Sequence, residues 1–291
     1  MKIDAKPRRS VLYMPGSNAR ALHKARNLPA DVLIFDLEDA VAPARKGDAR
    51  DLVGGSIADG GYEMRERVVR VNGLDSDWCD ADLSAIAVAD ACAVLFPKID
   101  RAADVLDAER RMNAAGIDPS TPLWVMAETP LGVLNIAEIA QASDRLECIV
   151  VGTSDLAKEL RVPHTPGRLG LLASLSMCVL AARAVGADVL DGVFLDLADS
   201  HGFAKACEQG RNLGFDGKTL IHPNQIEAAN RLFSPSTSDV ERAARVIEAW
   251  QAAQEAGEGV AVVDGRLVEN LHFEEASRLL ALDAAIKSRG H

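Results

Sequence analysis

Short apolar runs alternate with amphipathic stretches along the chain up to about residue 232. The apolar runs are five to seven residues long and rich in β-branched residues, which indicates buried strands. The stretches between them often open with Ser, Asn or Asp and close near Gly, as helices do. Eight strands are predicted: SVLYM (10–14), VLIFDL (32–37), RVVRVN (67–72), AVLFPK (93–98), PLWVMAE (122–128), CIVVG (148–152), GVFLDL (192–197) and KTLIH (218–222). Helices are predicted over 18–27, 43–58, 80–89, 101–114, 131–141, 167–185, 199–212 and 224–232.

The alternation of strand and helix indicates a parallel sheet, because each return to the same sheet edge needs a crossover connection. Eight such units within about 230 residues match the number and size of a (β/α)8 barrel. A doubly wound open sheet is the alternative. Such sheets usually carry a GxGxxG turn after the first strand, whereas this chain has MPGSNAR (14–20) there. We therefore predict an α/β fold, a (β/α)8 TIM barrel, over residues 1–235.

After residue 235 the alternation stops. The sequence predicts a helix that begins at Ser236 or Ser238 and ends at Gly257, then a hairpin with its turn at Asp264-Gly265, and a last helix from about residue 273. This helix-hairpin-helix appendage, residues 236–291, is too small to hold its own core. We expect it to pack over the barrel or to reach a neighbouring subunit.

The charge balance disfavours nucleic acid and anionic membranes as partners. The 291 residues include 32 Lys and Arg against 43 Asp and Glu, a formal net charge of -11, and the chain has no extended basic run. An anionic substrate is still compatible with this balance, because a local basic pocket can coexist with an acidic surface.

The amino-terminal segment, the lengths of the apolar segments and the cysteine pattern predict a cytoplasmic protein. The segment MKIDAKPRRS is basic, but the apolar stretch after it is broken at once by Pro15 and Gly16, which argues against a secretory signal. No segment approaches the length that spans a bilayer. The five cysteines are odd in number, widely spaced and without a CxxC pair, as expected in a reducing compartment.

Nearly every predicted strand ends in an ionisable or strongly polar residue, whereas the strand interiors are almost wholly apolar. In a TIM barrel these carboxyl ends form the active site. A single polar residue there often marks only the point where the chain leaves the core, so the signal lies in the whole ring. The ring consists of Tyr13 to Gly16, Asp36, Glu38, Asp39, Arg70, Asn72, Lys98, Glu128, Thr153, Asp155, Asp196 and His222. We expect His222 to organise the last strand end or to cap the next helix.

Two acids of this ring suit a magnesium site. Glu128 and Asp155, from successive strands, could supply two carboxylates to an octahedral Mg2+ whose other positions go to water and substrate. The alternative is that both are solvated loop acids. Arg70 lies in an otherwise apolar strand, where a guanidinium needs a partner. It either pairs with Asp36 or Glu38, or grips a substrate oxygen, or does both in alternate states.

With these residues in place, the chain resembles the HpcH/HpaI aldolase family, in its citrate lyase beta-subunit-like and malyl-CoA lyase-like branch. Any one matching stretch is weak, but eight in this order form a specific signal. They are RRSVLYMPGSN (8–18), DVLIFDLEDAVAP (31–43), VVRVNG (68–73), LFPKI (95–99), AETPLGV (127–133), VGTSDLAKEL (151–160), LGFDGKTLIHPNQI (213–226) and FSPS (233–236).

The resemblance implies a Mg2+-dependent barrel that makes or breaks a carbon-carbon bond between a CoA thioester and an oxo acid. It implies Glu128 and Asp155 as metal ligands and Arg70 as the residue that stabilises the substrate's oxyanion. Asp36 and Glu38 are implied as acids that hold the metal's waters and Arg70. A CoA-binding surface is implied at Arg9, Ser10, Tyr13, Pro15 and Lys24, with Lys98.

Two departures from the family pattern bear on the reaction. Where relatives are expected to carry an acid/base Asp on a C-terminal hairpin that reaches a neighbouring subunit, this chain has Glu269. Where relatives often carry a Tyr-Ala-Arg-Ser-like stretch, it has ASLSM (173–177) and lacks the basic residue. Glu269 keeps a carboxylate but has a longer side chain than Asp. The ASLSM stretch would change the substrate specificity if this part of the chain helps to position the substrate.

The resulting hypothesis is a Mg2+-dependent carbon-carbon lyase, acting through a metal-stabilised enolate. It would cleave or form a 3-hydroxy-dicarboxylyl-CoA thioester such as malyl-CoA or citramalyl-CoA, giving an acyl-CoA and glyoxylate or pyruvate. A (3S)-malyl-CoA-type thioesterase is the nearest alternative, because the same chemistry beside a water can end in hydrolysis. A citrate lyase beta subunit within a complex and a non-catalytic acyl-CoA-binding barrel are further alternatives. We expect a homo-oligomer, a trimer or hexamer.

Overall fold

The computed structural model describes residues 5–62, 65–89 and 91–289. The first four residues of the basic amino-terminal segment lie outside these ranges. The chain divides into two compact units, one comprising Arg8–Phe233 and the other containing the chain from Ser234 onward. Within the described ranges, no helix combines the length and apolar character that crossing a membrane requires.

The first unit is a closed barrel of eight parallel strands in sequence order, which confirms the predicted TIM barrel. The first strand pairs on one side with the second, through Val11 and Val32, and on the other with the eighth, through Ser10 and Lys218, so the sheet closes. The strands are β1 (Ser10–Pro15), β2 (Val32–Asp36), β3 (Glu66–Arg70), β4 (Ala93–Phe96), β5 (Leu123–Ala127), β6 (Leu146–Val151), β7 (Asp188–Asp191) and β8 (Gly217–Leu220).

Helices follow the strands around the outside. The sequence missed the helix directly after the sixth strand, and the predicted helix over 131–141 is two short helices. The helices are α1 (Ala19–Ala25), α2 (Lys46–Ala58), α3 (Cys79–Ile86), α4 (Ala102–Ala114), α5 (Pro130–Leu134), α6 (Ile136–Ala140), α7 (Thr153–Leu160), α8 (Leu172–Val185), α9 (Ser200–Leu213) and α10 (Ile226–Phe233). Three 3-10 turns, Pro43–Arg45, Leu169–Leu171 and Pro223–Gln225, precede α2, α8 and α10.

The seventh strand differs from its prediction. It is Asp188–Asp191, and the predicted strand over 192–197 is a loop, so Asp196 does not end a strand. The apolar runs over 188–191 and 192–197 follow one another directly, and the sequence pattern does not show which of them is the strand. The structure shows that the first run is the buried one, because Leu190 is fully buried whereas Leu195 is 55% exposed. The carboxyl end of β7 is therefore Asp191.

The core of the barrel lies in two layers, as the alternation of side chains along a strand requires. Every second residue points to the barrel interior, where Val11, Ile34, Val68, Trp124 and Val150 belong to one buried cluster. The residues between them, such as Leu12, Phe35 and Val69, pack against the surrounding helices in a larger cluster.

Arg8 closes the amino end of the barrel interior. Its Nε and Nη2 donate hydrogen bonds to Glu66 at 2.8 and 2.7 Å, and its Nη1 donates to Asp188 at 2.6 Å. Glu147 also accepts a hydrogen bond from Nη2. The guanidinium lies 4.6 Å from the ring of Trp124, on which it stacks. One cation is thus shared among carboxylates at the start of β3, β6 and β7.

The second unit contains α11 (Thr237–Glu255), the antiparallel hairpin β9 (Ala261–Val263) and β10 (Arg266–Val268), and α12 (Asn270–Ser288). The helix-hairpin-helix order is as predicted, with the last helix beginning three residues earlier. The expectation that this unit holds no core of its own was wrong. Its buried apolar residues form a cluster that includes Trp250, whose ring stacks on Phe273 at 6.4 Å.

Candidate active site

The inward faces of three strands turn from apolar to charged at the carboxyl end of the barrel. Each charged residue lies two positions after an interior apolar residue, so it shares that residue's inward direction. Asp36 follows Ile34 on β2, Arg70 follows Val68 on β3, and Glu128 follows Met126 at the end of β5. The fold thus brings together acids and a cation that are far apart in sequence.

These residues line a cavity of about 380 Å3 at the mouth of the barrel. Its volume falls in the range of small-molecule sites. Strand-end residues, or residues of the loops that follow, contribute to the wall from seven of the eight strands. The lining includes Tyr13, Pro15, Asp36, Asp39, Arg70, Met126, Glu128, Gly152, Thr153, Asp155, Val193, Thr219 and Ile221.

Arg70 is held by two acids, one at the end of the second strand and one just after it. Its Nε and Nη2 donate to the two carboxylate oxygens of Asp36 at 2.8 and 2.7 Å, and its Nη1 lies 3.0 Å from Glu38 Oε2. Only 8% of the Arg70 side chain is exposed. The predicted pairing with Asp36 or Glu38 is therefore made with both. Asp36 occupies two of the five guanidinium N–H groups, so the group keeps donors for a substrate oxygen.

Tyr13 and Met126 fix the other side of the guanidinium. The Arg70 side chain lies over the Tyr13 ring at 4.9 Å, and its Nη1 lies 3.7 Å from the sulfur of Met126. The Tyr13 hydroxyl donates to the same sulfur at 3.8 Å. Burial raises the pKa of this hydroxyl, so Tyr13 stays neutral. The cation is thus held in one orientation at the cavity wall.

Glu128 is the most perturbed acid of the cavity. It is 2% exposed, and burial first, then the charge of Glu38, raises its pKa to about 7, against a hydrogen bond from the Lys98 backbone N–H at 2.8 Å. Asp155 adds to the same effect. Gly152 leaves room for the carboxylate, because a Cβ there would lie 2.5 Å from Glu128 Oε2.

Lys98 connects two acids of the site. Its backbone adopts the left-handed region with a φ of 53°, which is unusual for a residue with a side chain. In this conformation the N–H reaches Glu128, while Nζ donates to Glu38 Oε1 at 2.7 Å. Burial lowers the pKa of the ammonium, but the contact with Glu38 outweighs it and the pKa is raised. Lys98 therefore balances part of the negative charge.

The donors at the cavity fit a magnesium ion. Glu128 and Asp155 line the same cavity and interact electrostatically, and the carboxylate of Glu128 has a space kept free of side chains by Gly152. No cluster of three or more His, Cys, Asp or Glu of metal-binding geometry occurs among the described residues. A two-carboxylate site completed by water and substrate is the arrangement that Mg2+ commonly takes in enzymes.

Four residues of the predicted CoA surface do not line this cavity: Arg9, Ser10, Lys24 and Lys98. Arg9 precedes β1 and Ser10 begins it, so both lie at the amino end of the barrel, about 16 Å from Pro15 at the rise of an extended strand. Arg9 donates to both carboxylate oxygens of Asp31 at 2.8 Å. Lys24 is exposed in the last turn of α1. Tyr13 and Pro15 do line the cavity.

Two further predicted residues make local contacts within their own segments. His222 caps the 3-10 turn before α10, where its Nδ1 accepts from the Asn224 N–H at 3.2 Å, as the sequence predicts. Glu269 belongs to the second unit, between β10 and α12, where it is exposed and its N–H donates to His272 Nδ1. Its catalytic role stays a prediction.

Two uncharged residues that shape the site were not predicted from the sequence. Gly152 and Met126 set the position of Glu128 and Arg70, yet neither type signals chemistry by itself. The Gly-Thr-Ser-Asp run at the end of β6 is the one signal that could have found Gly152, because a glycine at a strand end often marks a close approach.

Comparison with known proteins identifies the family. The family described as HpcH/HpaI aldolase/citrate lyase matches residues 9–223, which include the whole cavity wall. This protein belongs to that family. The predicted resemblance is therefore confirmed at the level of the family.

Two named relatives and one solved structure are similar to this chain over nearly its whole length. A (3S)-malyl-CoA thioesterase of Cereibacter sphaeroides is 53% identical over 98% of this chain and 98% of its own length. The citrate lyase beta subunit of Escherichia coli is 39% identical over 94% of this chain and 92% of its own. The crystal structure of CitE from Mycobacterium tuberculosis with magnesium, acetoacetate and coenzyme A has a TM-score of 0.73, 28% identity, and covers 94% and 97% of the two chains.

Proposed function

We propose that this member of the family is a Mg2+-dependent enzyme that hydrolyses a (3S)-malyl-CoA-type thioester to CoA and the free hydroxy acid. The observation that carries the proposal is the cavity in which Glu128 and Asp155 lie beside the fixed guanidinium of Arg70. The identity of 53% to a protein of that name, over nearly the full length of both chains, supports the choice of substrate.

The cavity suits a short substrate head with several oxygens. Glu128 and Asp155 would hold the metal ion, which when bound supplies positive charge to the hydroxyl and carboxylate oxygens of the malyl group. Arg70 offers its remaining N–H groups to the thioester oxygen. Asp36 and Tyr13 keep the guanidinium in place, so no reorganisation is needed as charge develops on that oxygen.

In hydrolysis the oxygen of a water attacks the thioester carbonyl carbon while a carboxylate takes its proton. The carbonyl oxygen becomes negative and is stabilised by Arg70. The C–S bond then breaks, and CoA leaves as a thiolate that takes up a proton. Pro15, Val193 and Ile221 line the same cavity and offer apolar contacts to the carbon atoms of the substrate.

Carbon-carbon cleavage is the second candidate. It is favoured by the 39% identity to a citrate lyase beta subunit and by the CitE structure solved with magnesium, acetoacetate and CoA. In this reaction a carboxylate removes the proton of the substrate hydroxyl, the bond to the α-carbon breaks, and Arg70 stabilises the enolate oxygen of the acyl-CoA. A proton is then returned to the α-carbon.

One substrate distinguishes the two outcomes. Purified protein is incubated with (3S)-malyl-CoA and Mg2+, and free thiol and glyoxylate are measured in the same sample. Hydrolysis releases thiol and malate without glyoxylate, whereas cleavage releases glyoxylate and acetyl-CoA without thiol. A folded protein that releases neither product refutes both candidates.

Variants test the metal ligands separately from turnover. Glu128→Gln and Asp155→Asn each remove one carboxylate, and we expect Mg2+ binding measured by calorimetry to weaken about 100-fold or more, with activity lost in parallel. Glu159→Gln is the matched control, since Glu159 is an exposed acid on the same helix as Asp155. Unchanged Mg2+ affinity in the first two variants would show that the metal site lies elsewhere.

We further propose that Glu269 is the carboxylate that exchanges the proton and that it reaches the cavity of a neighbouring subunit. Glu269→Gln should then abolish turnover, whereas Glu269→Asp should keep part of it. Mixing inactive Glu269→Gln with inactive Arg70→Met protein tests the subunit arrangement. Activity returns after unfolding and refolding the mixture only if one site draws these residues from two chains.

A further inference from the structure

A second cavity of about 470 Å3 lies beside the first at the same end of the barrel. Its walls are the loop over 164–168, the segment over 193–196 after β7, and the helix α9. Thr153 and Val193 line both cavities, so the two are separated by single side chains. The reaction described above uses none of the other residues of this second cavity.

Most of the wall is apolar. Leu171 is buried at the start of α8, and Ala206 presents a small side chain from α9. Phe194 packs edge to face on Phe203 at 5.9 Å, which fixes the ring at the cavity wall. A cavity of this volume with rigid apolar walls suits the hydrocarbon part of a small ligand.

One buried cation lies at this wall with a donor to spare. Arg168 donates through Nη1 to Asp191 at 2.6 Å and through Nε to Gln209 at 2.8 Å. Its Nη2 is buried and has no hydrogen-bond partner among the described residues. Its side chain keeps 12% of its surface exposed. A buried guanidinium N–H without a partner is costly, and an acceptor atom on a ligand would remove that cost.

Arg168 shares its carboxylate partner with a second basic residue. Asp191 is fully buried and accepts from both Arg168 and Lys218, whose Nζ lies 2.8 Å away. One carboxylate therefore serves two basic side chains. The remaining contact of the Lys218 ammonium is the carbonyl oxygen of Gly192 at 2.5 Å. An anion at Arg168 would give its guanidinium a second charged partner.

The rim of the cavity carries side chains of both signs. Lys205 and His164 are exposed there, and Lys205 makes no ion pair with any described residue. The two acids of the rim are occupied by backbone amides: Asp199 accepts from Gly202 N–H at 2.8 Å, and Asp196 accepts from Ala198 N–H at 3.0 Å. Each of these carboxylates is thus held by a local turn, and Lys205 is the rim cation without an ion-pair partner among the described residues.

We propose that the second cavity binds a small organic anion, with a carboxylate or carbonyl oxygen on Arg168 and an apolar chain against Phe194, Leu171 and Ala206. The ligand has one of two sources. It is either an extension of the substrate that passes Thr153 and Val193 from the first cavity, or a separate carboxylic acid that acts as an effector.

Hexanoate is the probe, with 1-hexanol as the uncharged match of the same length. Binding is measured by calorimetry on the intact protein, without CoA esters. We expect saturable binding of hexanoate and binding of 1-hexanol weaker by about tenfold or more, the effect of losing a charged hydrogen bond. The absence of saturable hexanoate binding, or equal binding of both probes, overturns the proposal. Because no turnover is measured, failure here is distinct from failure of the proposed reaction.

Two variants test the cavity by different routes. Arg168→Met removes the cation, and Ala206→Leu fills the space while leaving Arg168 in place. Each should weaken hexanoate binding about tenfold or more. Ala204→Leu, on the same helix but outside the cavity lining, should bind hexanoate like the original protein. Thermal melting confirms that each variant is folded, and unchanged binding in both folded cavity variants overturns the proposal.

Inhibition kinetics with the original protein then show whether the ligand of the second cavity is an extension of the substrate or a separate effector. Hexanoate that raises KM for the thioester without changing kcat occupies the path of the substrate, which supports the substrate extension. Hexanoate that changes kcat, in either direction, supports a separate effector. Both results retain the cavity as an anion site.

Discussion

The side chain of Glu128 fills the space in which a side chain at position 152 would lie. A Cβ on Gly152 would lie 2.5 Å from Glu128 Oε2 and would also overlap the Cβ of Glu128. The φ of Gly152 is -85°, which any residue adopts, so the glycine is required by contact and not by backbone strain. The Glu128 carboxylate can therefore take this position only because residue 152 has no side chain.

Gly152→Ala should displace the Glu128 carboxylate from the proposed metal position. We expect kcat/KM to fall about 100-fold, the cost of misplacing a reacting group by about an ångström. Gly54→Ala is the matched control, because Gly54 lies in α2 and a methyl group added there would have nothing within 4 Å. This control should keep full activity and gain about 0.5 to 1 kcal/mol of stability. A fully active Gly152→Ala would contradict the arrangement.

Lys98 should be needed for its ammonium as well as for its backbone N–H. Lys98→Gly and Lys98→Ala both remove the contact with Glu38, so both should lose about tenfold in kcat. Glycine adopts the left-handed backbone at position 98 without strain, whereas alanine does not. The Lys98→Gly variant should therefore be about 1 kcal/mol more stable than Lys98→Ala and should melt at a higher temperature. Steady-state kinetics and thermal melting check the two effects independently. Original kcat in both variants would assign Lys98 a backbone role alone.

Asp191 should be more important to stability than Lys218. Asp191→Asn leaves two buried cations without a charged partner and should cost about 3 to 5 kcal/mol in urea unfolding. Lys218→Met leaves Asp191 paired with Arg168, so it should cost less. The opposite order would mean that the carboxylate is not shared as the structure has it.

The pH dependence of stability should report on Asp188. Burial, then the charge of Asp216, raises its pKa to about 6, against the opposing effect of Arg8. A carboxyl group with a raised pKa stabilises the folded state below its unfolded pKa of about 3.9, and this contribution is lost as the pH rises through about 6. Asp188→Asn cannot titrate. The unfolding free energy of the original protein, relative to this variant, should therefore decrease between pH 4 and pH 6.5; a constant difference would contradict the assignment.

The sequence predicted the barrel and the charged core of the cavity for a common reason. Parallel strands bring their carboxyl ends to one edge, and a period of two gives Asp36, Arg70 and Glu128 the direction of the apolar residues before them. Both rules are local, so they can be applied without coordinates. The sequence also predicted Asp36 or Glu38 as the partner of Arg70, and both acids do reach it.

What the sequence did not predict depends on position along a strand and on backbone geometry. Ser10 and Pro15 belong to one continuous stretch of the sequence, yet they begin and end the same strand and so lie at opposite ends of the barrel. The left-handed backbone of Lys98 has no signature in residue type. The place of β7 depended on which of two adjacent apolar runs is buried, which is decided by packing against other strands.

The cluster at Arg8 bears on whether half of this barrel could exist alone. A fragment that ended before β5 would keep Arg8 with Glu66, while one that began there would hold Glu147 and Asp188 without their cation. The second fragment would therefore have to fold without the cation that contacts Asp188 at this end of the barrel, whereas the first keeps a complete ion pair. The two halves are therefore not interchangeable modules, and the second half, produced separately, should acquire native structure only when it is combined with the first.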